Sequence, residues 1–313
     1  MTDQQGHDVA VIGAGTMGSM LAMVFAAGGH SVALTDTDSD VLSRSRRRIS
    51  DAASTWLEGR DVAADITLQP DLERAALHAK FVIEAATEDL ETKQRLFADL
   101  ERFAPPDAIL CSNTSALPIR QVTALVKNRE RVAGTHWFNP PHLIPAVEVI
   151  RGLHTSDETV TCLMEWLTGL GKVPVEVKDV PGFLANRLQM ALVKEAMLCV
   201  SDGVASAEDI DRLFTHSIGF RLAAAGPLAV ADFAGLPIYN RVFETLAEEF
   251  SDRFEAPSIL TQLVAEGRTG TASGAGFLEY GDRSAALVEA RDRRLLALAR
   301  LQASSDWNGD GSE

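Results

Sequence analysis

The sequence predicts an α/β fold: a doubly wound, mostly parallel sheet followed by a second, all-helical region. Three observations predict it. Residues 8–12, 81–85 and 108–112 are short, nearly all-apolar runs, the composition of strands buried on both faces. Helical periodicity alternates with such runs up to about residue 180, as in sheets built from βαβ units. Beyond Pro181-Gly182 the apolar spacing is helical nearly throughout.

Taken in order, residues 8–12 (DVAVI) read as the first strand, about 17–27 as a helix and 31–36 as the second strand. Residues 38–60 read as a helix with Arg44, Arg46, Arg47 and Arg48 on its exposed face. A solvated face is the plain reading of such a cluster, with a cofactor or CoA contact as the alternative. A strand at 81–85, a crossover helix at about 89–103 and a strand at 108–112 follow. Residues 131–136 and 146–150 read as two more strands, separated by Asn139-Pro140-Pro141; 157–170 is helical and 173–177 a further strand. In the second region, residues 207–214 open on an acidic turn, a good helix start. Residues 283–302 form a cationic amphipathic helix, and the tail from 303 to 313 reads as disordered. The expected division is therefore an α/β domain at 1–180 and a helical domain at 181–302.

A length of 313 residues suits two domains. Hydrophobic residues are 46% and charged residues 23%, ordinary usage for a folded chain with a core. Acidic side chains number 44 against 29 basic, a net charge of −15. That argues against a nucleic-acid partner held by phosphate contacts. No apolar run approaches the ~18–20 residues needed to span a bilayer, and the polar start MTDQQGHD is unlike a signal peptide. Cys111, Cys162 and Cys199 are too few and too scattered for a disulfide framework or a zinc site. A reduced, cytoplasmic setting without a metal is the expectation.

Gly13-Ala14-Gly15-Thr16-Met17-Gly18 reads G-x-G-x-x-G between the first strand and the first helix. The glycines serve a tight turn, a close backbone approach to a pyrophosphate and close helix–strand packing. The helix N-terminus offers unpaired N–H groups to a diphosphate. This is the dinucleotide loop of a Rossmann domain. Asp36 ends the second strand 18 residues after Gly18. A carboxylate there accepts from a ribose 2′-hydroxyl and repels a 2′-phosphate. Thr37 and Asp38 follow, with no arginine to receive such a phosphate. The cofactor expected is NAD.

Ser112-Asn113-Thr114-Ser115 falls at the carboxyl end of a strand, where open α/β sheets bind ligands. His136 precedes the Asn-Pro-Pro excursion, and Glu148 lies twelve residues beyond it. If the chain leaves one strand and returns through its neighbour, His136 and Glu148 meet side by side. A carboxylate beside an imidazole fixes its tautomer and favours its protonated form, which makes a general base for an alcohol proton. His142 keeps a structural reading, with lining of the substrate site as the alternative; Cys111 is a small core residue.

These motifs resemble the 3-hydroxyacyl-CoA dehydrogenase family along nearly the whole chain to about Tyr280. The matching stretches are VIGAGTMG (11–18), EAATEDLETK (84–93), SNTSALPI (112–119), GTHWFNPP (134–141), VEVI (147–150), KDVPGFLANR (178–187) and the GP-L pattern at 226–228. The resemblance implies a Rossmann domain plus a helical domain, and a homodimer. It implies His136 as catalytic base with Glu148 as its partner. Ser115 and Asn186 would orient the substrate oxygen and the base. Glu88, Lys93 and Asn113 would line the NAD site with Gly13, Gly15, Thr16, Met17, Gly18 and Asp36. The implied reaction is reversible oxidation of an L-3-hydroxyacyl group to the 3-oxo compound.

The chain departs from the family pattern in places. Positions that help hold CoA correspond to Ala52 and Gly59, and the lysine of the C-terminal glycine-rich stretch is replaced around Thr271. The stretch opening the helical substrate wall reads RLAAAGP (221–227). The loop NPPHLIPAVEVI also resembles non-CoA relatives: gulonate and carnitine dehydrogenases and an enzyme acting on a pyridine-carboxylate aldehyde. For such substrates Arg221 would pair with a carboxylate; otherwise it is an arginine on a solvated helix end.

Overall fold

The computed structural model describes residues 7–57 and 62–304. The chain order begins β1 (Val9–Ile12), α1 (Thr16–Ala27), β2 (Val32–Thr35), α2 (Ser39–Trp56), β3 (Ile66–Leu68), α3 (Leu72–Ala76), β4 (Phe81–Glu84) and α4 (Leu90–Phe103). It continues with β5 (Ile109–Ser112), α5 (Ile119–Val122), β6 (Val132–Trp137), β7 (Ala146–Arg151), α6 (Asp157–Gly169), β8 (Val173–Lys178) and α7 (Ala185–Ser201). The last helices are α8 (Ala207–His216), α9 (Ile218–Ala224), α10 (Pro227–Ala234), α11 (Leu236–Phe250), α12 (Ser258–Ala265) and α13 (Ser284–Gln302).

One eight-stranded sheet runs β3-β2-β1-β4-β5-β6-β7-β8. Every neighbouring pair is parallel except β6 and β7. The apolar runs explain its centre: all four residues of β1, β2, β4 and β5 are buried, because helices cover both faces. Leu21 and Phe25 of α1, Ile49 of α2 and Leu163 of α6 pack on one face. Phe97 and Leu100 of α4 and Val122 of α5 pack on the other. The helices start on side-chain caps: Asp38, Asp89 and Ser156 accept backbone N–H groups at the starts of α2, α4 and α6.

Two compact units, Met1–Lys194 and Glu195–Glu313, divide within α7. The second unit is helical. Its core joins Ala231, Leu236 and Leu260 to Tyr239, Phe243 and Phe277. Asp232, 1% exposed, organises the glycine-rich stretch: its carboxylate accepts from the Phe277 and Leu278 amides and the Tyr280 hydroxyl, each at 3.0 Å.

Several elements differ from expectation. Strand β3 and helix α3 lie between residues 60 and 81, where the sequence offers no clear period; only Ile66 of β3 is buried. The four-residue α5 is likewise too short to leave a period. The helix expected over 38–60 ends at Trp56, and 58–61, with Gly59, lie outside the described residues. So do the N-terminal six residues and 305–313, on which the disordered-tail expectation falls. No helix among the described residues is long and apolar enough to cross a membrane.

Candidate active site

The turn from β1 into α1 is built by its glycines. Gly13 has φ +102°, and a Cβ there would lie 2.6 Å from the Ala85 carbonyl oxygen. A Cβ on Gly18 would lie 1.7 Å from the Gly13 oxygen. Both positions therefore exclude a side chain for reasons internal to the fold. Gly15 differs: a Cβ there would meet nothing within 4 Å. The space in front of it opens at the N-terminus of α1, where unpaired N–H groups attract an anion.

A cavity of about 520 Å³ lies at the carboxyl ends of β1, β2 and β4, lined by Gly13, Gly15, Asp36, Thr37, Ala86 and Leu96 among others. The Asp36 carboxylate accepts from the Ala14 amide at 2.7 Å and the Asp38 amide at 2.9 Å. From the other side, the half-buried Arg48 donates to the Ala14 carbonyl at 2.8 Å. The four arginines of α2 are thus not one solvated face. Arg44, Arg46 and Arg47 are exposed, whereas Arg48 braces the glycine loop. A glycine cradle, room before a helix N-terminus and an acidic strand end together fit NAD. Thr16 is exposed and Met17 half-buried in the first turn of α1.

The residues expected to complete the cofactor site form an internal brace. Lys93 is 1% exposed and Glu84 fully buried, and their Nζ–Oε1 distance is 2.6 Å. Glu84 also accepts from the Ala86 amide and the Ser112 hydroxyl, both at 2.7 Å. Glu88 lies 3.3 Å from Lys93 Nζ and receives the Thr114 hydroxyl and the Ser115 amide. Burial works to raise the Glu88 carboxyl, but the Thr114 hydroxyl, the Lys93 ammonium and the Ser115 amide hold it below the usual carboxylate range. The ammonium of Lys93 therefore serves the ends of β4 and β5 and does not face the cavity. Asn113 Oδ1 accepts from the Trp137 amide at 3.0 Å, tying β5 to β6. Glu84 escaped the sequence reading because, in EAATED, it looks like the end of an apolar strand. Its spacing of nine from a lysine was the available signal.

His136 and Glu148 are direct partners across the antiparallel β6–β7 pair. His136 is 5% and Glu148 4% exposed, and Nδ1 lies 2.7 Å from Oε2. The other oxygen, Oε1, accepts from the Leu184 amide at 2.9 Å and the Ala185 amide at 2.8 Å, at the start of α7. Burial pushes the Glu148 carboxyl up, yet the imidazole and these two amides outweigh it and hold it below its ordinary value. With Nδ1 as the donor, Nε2 is left as the proton acceptor. Asn186 Nδ2 donates to the Ser115 carbonyl at 2.6 Å, so Ser115 and Asn186 adjoin, with the Ser115 side chain exposed.

Arg221 lies in the second unit, exposed on α9, and its side chain has no hydrogen-bond or ionic partner among the described residues. Ala52 is half-buried on α2 and packs against the core. Thr271 donates to the Asp232 carbonyl. Cys111 is fully buried in the core, where burial pushes its thiol up. The His142 and Trp56 rings are tilted neighbours with centroids 5.5 Å apart.

Comparison with known proteins fits this arrangement. The model of the 3-hydroxyacyl-CoA dehydrogenase NAD-binding domain matches residues 8–180, and that of the family's C-terminal domain matches 182–280. A 5-formyl-3-hydroxy-2-methylpyridine 4-carboxylate 5-dehydrogenase from Mesorhizobium japonicum is 34% identical over 94% of this chain and 98% of its own length. A probable 3-hydroxybutyryl-CoA dehydrogenase from Bacillus subtilis is 37% identical over 88% of this chain and 98% of its own. The crystal structure of a 3-hydroxyacyl-CoA dehydrogenase from Archaeoglobus fulgidus superposes with a TM-score of 0.81 at 32% identity, covering 94% of this chain and 98% of that one. With its glycine loop, its acidic strand end and its buried His–Glu pair, the chain belongs to the 3-hydroxyacyl-CoA dehydrogenase family and is an NAD-dependent oxidoreductase.

Proposed function

We propose that the protein reversibly oxidises an L-3-hydroxyacyl-CoA-type substrate to the 3-oxo compound. The observation that carries the reading is the buried pair of His136 and Glu148, with Nδ1 engaged at 2.7 Å. Nε2 takes the hydroxyl proton as the C3–H bond breaks. In the reverse direction protonated His136 polarises the carbonyl and returns the proton. Glu148 keeps the ring in the reactive tautomer and balances its charge. Held in the glycine cradle, NAD would supply the acceptor for the hydride that leaves C3. Gly13, Gly15, Thr16, Met17 and Gly18 would hold its diphosphate and Asp36 its ribose, with Glu88, Lys93 and Asn113 supporting the loops around it. Ser115 and Asn186 would orient the substrate oxygen. NADH consumption with acetoacetyl-CoA tests the reading; normal NADH binding without turnover at any acyl chain length would sink it.

A second reading keeps the chemistry and replaces the thioester by a free carboxylate. The unpartnered, exposed guanidinium of Arg221 and the similarity over 94% of the chain to a pyridine-carboxylate dehydrogenase favour it. Under this reading Arg221→Ala raises the substrate KM and spares NADH binding. The proposed domains are residues 1–180 for the cofactor and 181–302 for substrate and dimerisation. A homodimer is supported by α7, which buries none of its residues and exposes Leu188, Met190, Leu192, Met197 and Val200; light scattering tests it. A cytoplasmic setting accords with the free thiols of Cys111, Cys162 and Cys199.

A further inference from the structure

Gly182 and Phe183 both adopt left-handed backbone conformations, with φ +72° and +50°. Glycine does so freely, whereas a bulky residue rarely does. Such a conformation persists only where its surroundings over-determine it. Those surroundings are present. Phe183 is 1% exposed and packs with Ile119, Ile150 and Val177. Asp179, four residues earlier, accepts the Ile119 and Arg120 amides, both at 2.9 Å.

The turn has two consequences at the His–Glu pair. It aims the next two amides, of Leu184 and Ala185, at Glu148 Oε1. It also sets the Phe183 ring 6.0 Å from the His136 ring, which Phe138 approaches to 4.7 Å. With Oε1 fixed by two donors, the carboxylate cannot rotate, and Oε2 has to face Nδ1. A turn without this conformation would point both amides elsewhere and free the carboxylate.

We infer that Phe183 is a positioning residue: its buried ring holds the left-handed turn whose amides lock Glu148 against His136. The inference rests on the base assignment above. It differs from a plain core role because it makes the effect of Phe183 depend on Glu148.

A double-mutant cycle of the full chain separates the two roles. Phe183→Ala is expected to lower kcat for acetoacetyl-CoA reduction by about tenfold, with KM and the NADH Kd within about twofold. In a Glu148→Gln background the same change is expected to cost less than about twofold, because the lock it serves is already gone. In proton NMR the hydrogen-bonded Nδ1–H of His136 should give a downfield signal that Phe183→Ala broadens or loses. Phe183→Leu, which keeps apolar volume, serves if the alanine variant fails to fold, and should give a smaller loss with the same dependence on Glu148. Equal losses in both backgrounds, or an unchanged downfield signal in a cooperatively folded variant, would overturn the inference. If the wild-type chain turned over no acyl-CoA, the substrate reading would fail, and the NMR signal would still decide this one.

Discussion

Glu148 faces His136 across the one antiparallel step in an otherwise parallel sheet, and the two side chains close to 2.7 Å. Directly opposed residues of an antiparallel pair have Cβ atoms about 4.5–5.5 Å apart and share a face. A slip of one residue would send Glu148 to the other face. The Asn-Pro-Pro excursion, with its cis Asn139–Pro140 bond, thus lies between two halves of one device.

His136→Gln tests that device directly. Glutamine keeps a polar side chain but is no base near neutral pH. Positioned acid–base groups contribute about 10²–10⁴-fold, and turnover should fall by at least the lower figure. The NADH Kd should stay within about twofold, because His136 is not among the residues lining the dinucleotide cavity. Stopped-flow hydride transfer and fluorescence titration measure the two quantities. An active variant refutes the assignment of the base.

Part of the acid response follows from two of the depressed carboxyls, those beside Lys93 and His136. Glu148 and Glu88 both sit below the ordinary carboxylate value in the folded chain. In the unfolded chain they return to about 4.3. Between those limits the unfolded state binds more protons, so stability rises with pH there. The contribution is fully present above the unfolded value and is lost as pH falls through the lowered folded values. The share of stability owed to these two carboxyls should be intact from pH 7 to about 5 and decline below that. Glu148→Gln should melt lower at pH 7 and lose less between pH 5 and 3. An identical pH slope in the variant would show that Glu148 is not involved.

How much was legible in the sequence depended on whether a signal was local. Glycine spacing, apolar strands and the acid after β2 are local, and Gly13, Gly18 and Asp36 stand where those patterns put them. The meeting of His136 and Glu148 was also legible, because a proline-marked reversal between two strands is a local feature with a geometric consequence. Three other features depend on distant partners. Arg48 looks like its exposed neighbours until the Ala14 carbonyl is placed beside it. Lys93, implied by resemblance as a cofactor-lining residue, is buried by Glu84, nine residues away and on another element. The left-handed Phe183 follows no residue preference, since tertiary packing imposes it.

Two glycines of the same loop should fail in different ways. Gly18→Ala drives a Cβ to 1.7 Å from the Gly13 carbonyl oxygen, which is backbone and cannot yield cheaply. That variant should lose about 1–3 kcal/mol of stability or more, as overpacked sites do. Gly15→Ala meets nothing within 4 Å in the free protein, so its melting temperature should be unchanged within about a degree. Its methyl group occupies the room in front of α1, and its NAD Kd should rise about tenfold or more. Calorimetry and cofactor titration separate the two. Loss of stability without loss of NAD affinity in Gly15→Ala would contradict the diphosphate assignment.

Lys93→Met asks whether the Glu84–Lys93 pair is as costly to break as its burial implies. Removing one partner of a buried ion pair leaves an uncompensated charge and typically destabilises by about 3–5 kcal/mol. Glu84 is fully buried, and the Ala86 amide and Ser112 hydroxyl are the donors it would retain. Urea denaturation should therefore show a loss near that range in Lys93→Met. Adding Glu84→Gln removes the orphaned charge while keeping an acceptor for the Ala86 amide, so the double variant should recover part of the loss. Because Glu84 joins the ends of β4 and β5, the single variant should also weaken NAD binding even though Lys93 does not face the cavity. A loss below about 1 kcal/mol, within the range of exposed ion pairs, would mean that water reaches the pair and that Lys93 is free to turn toward the cofactor.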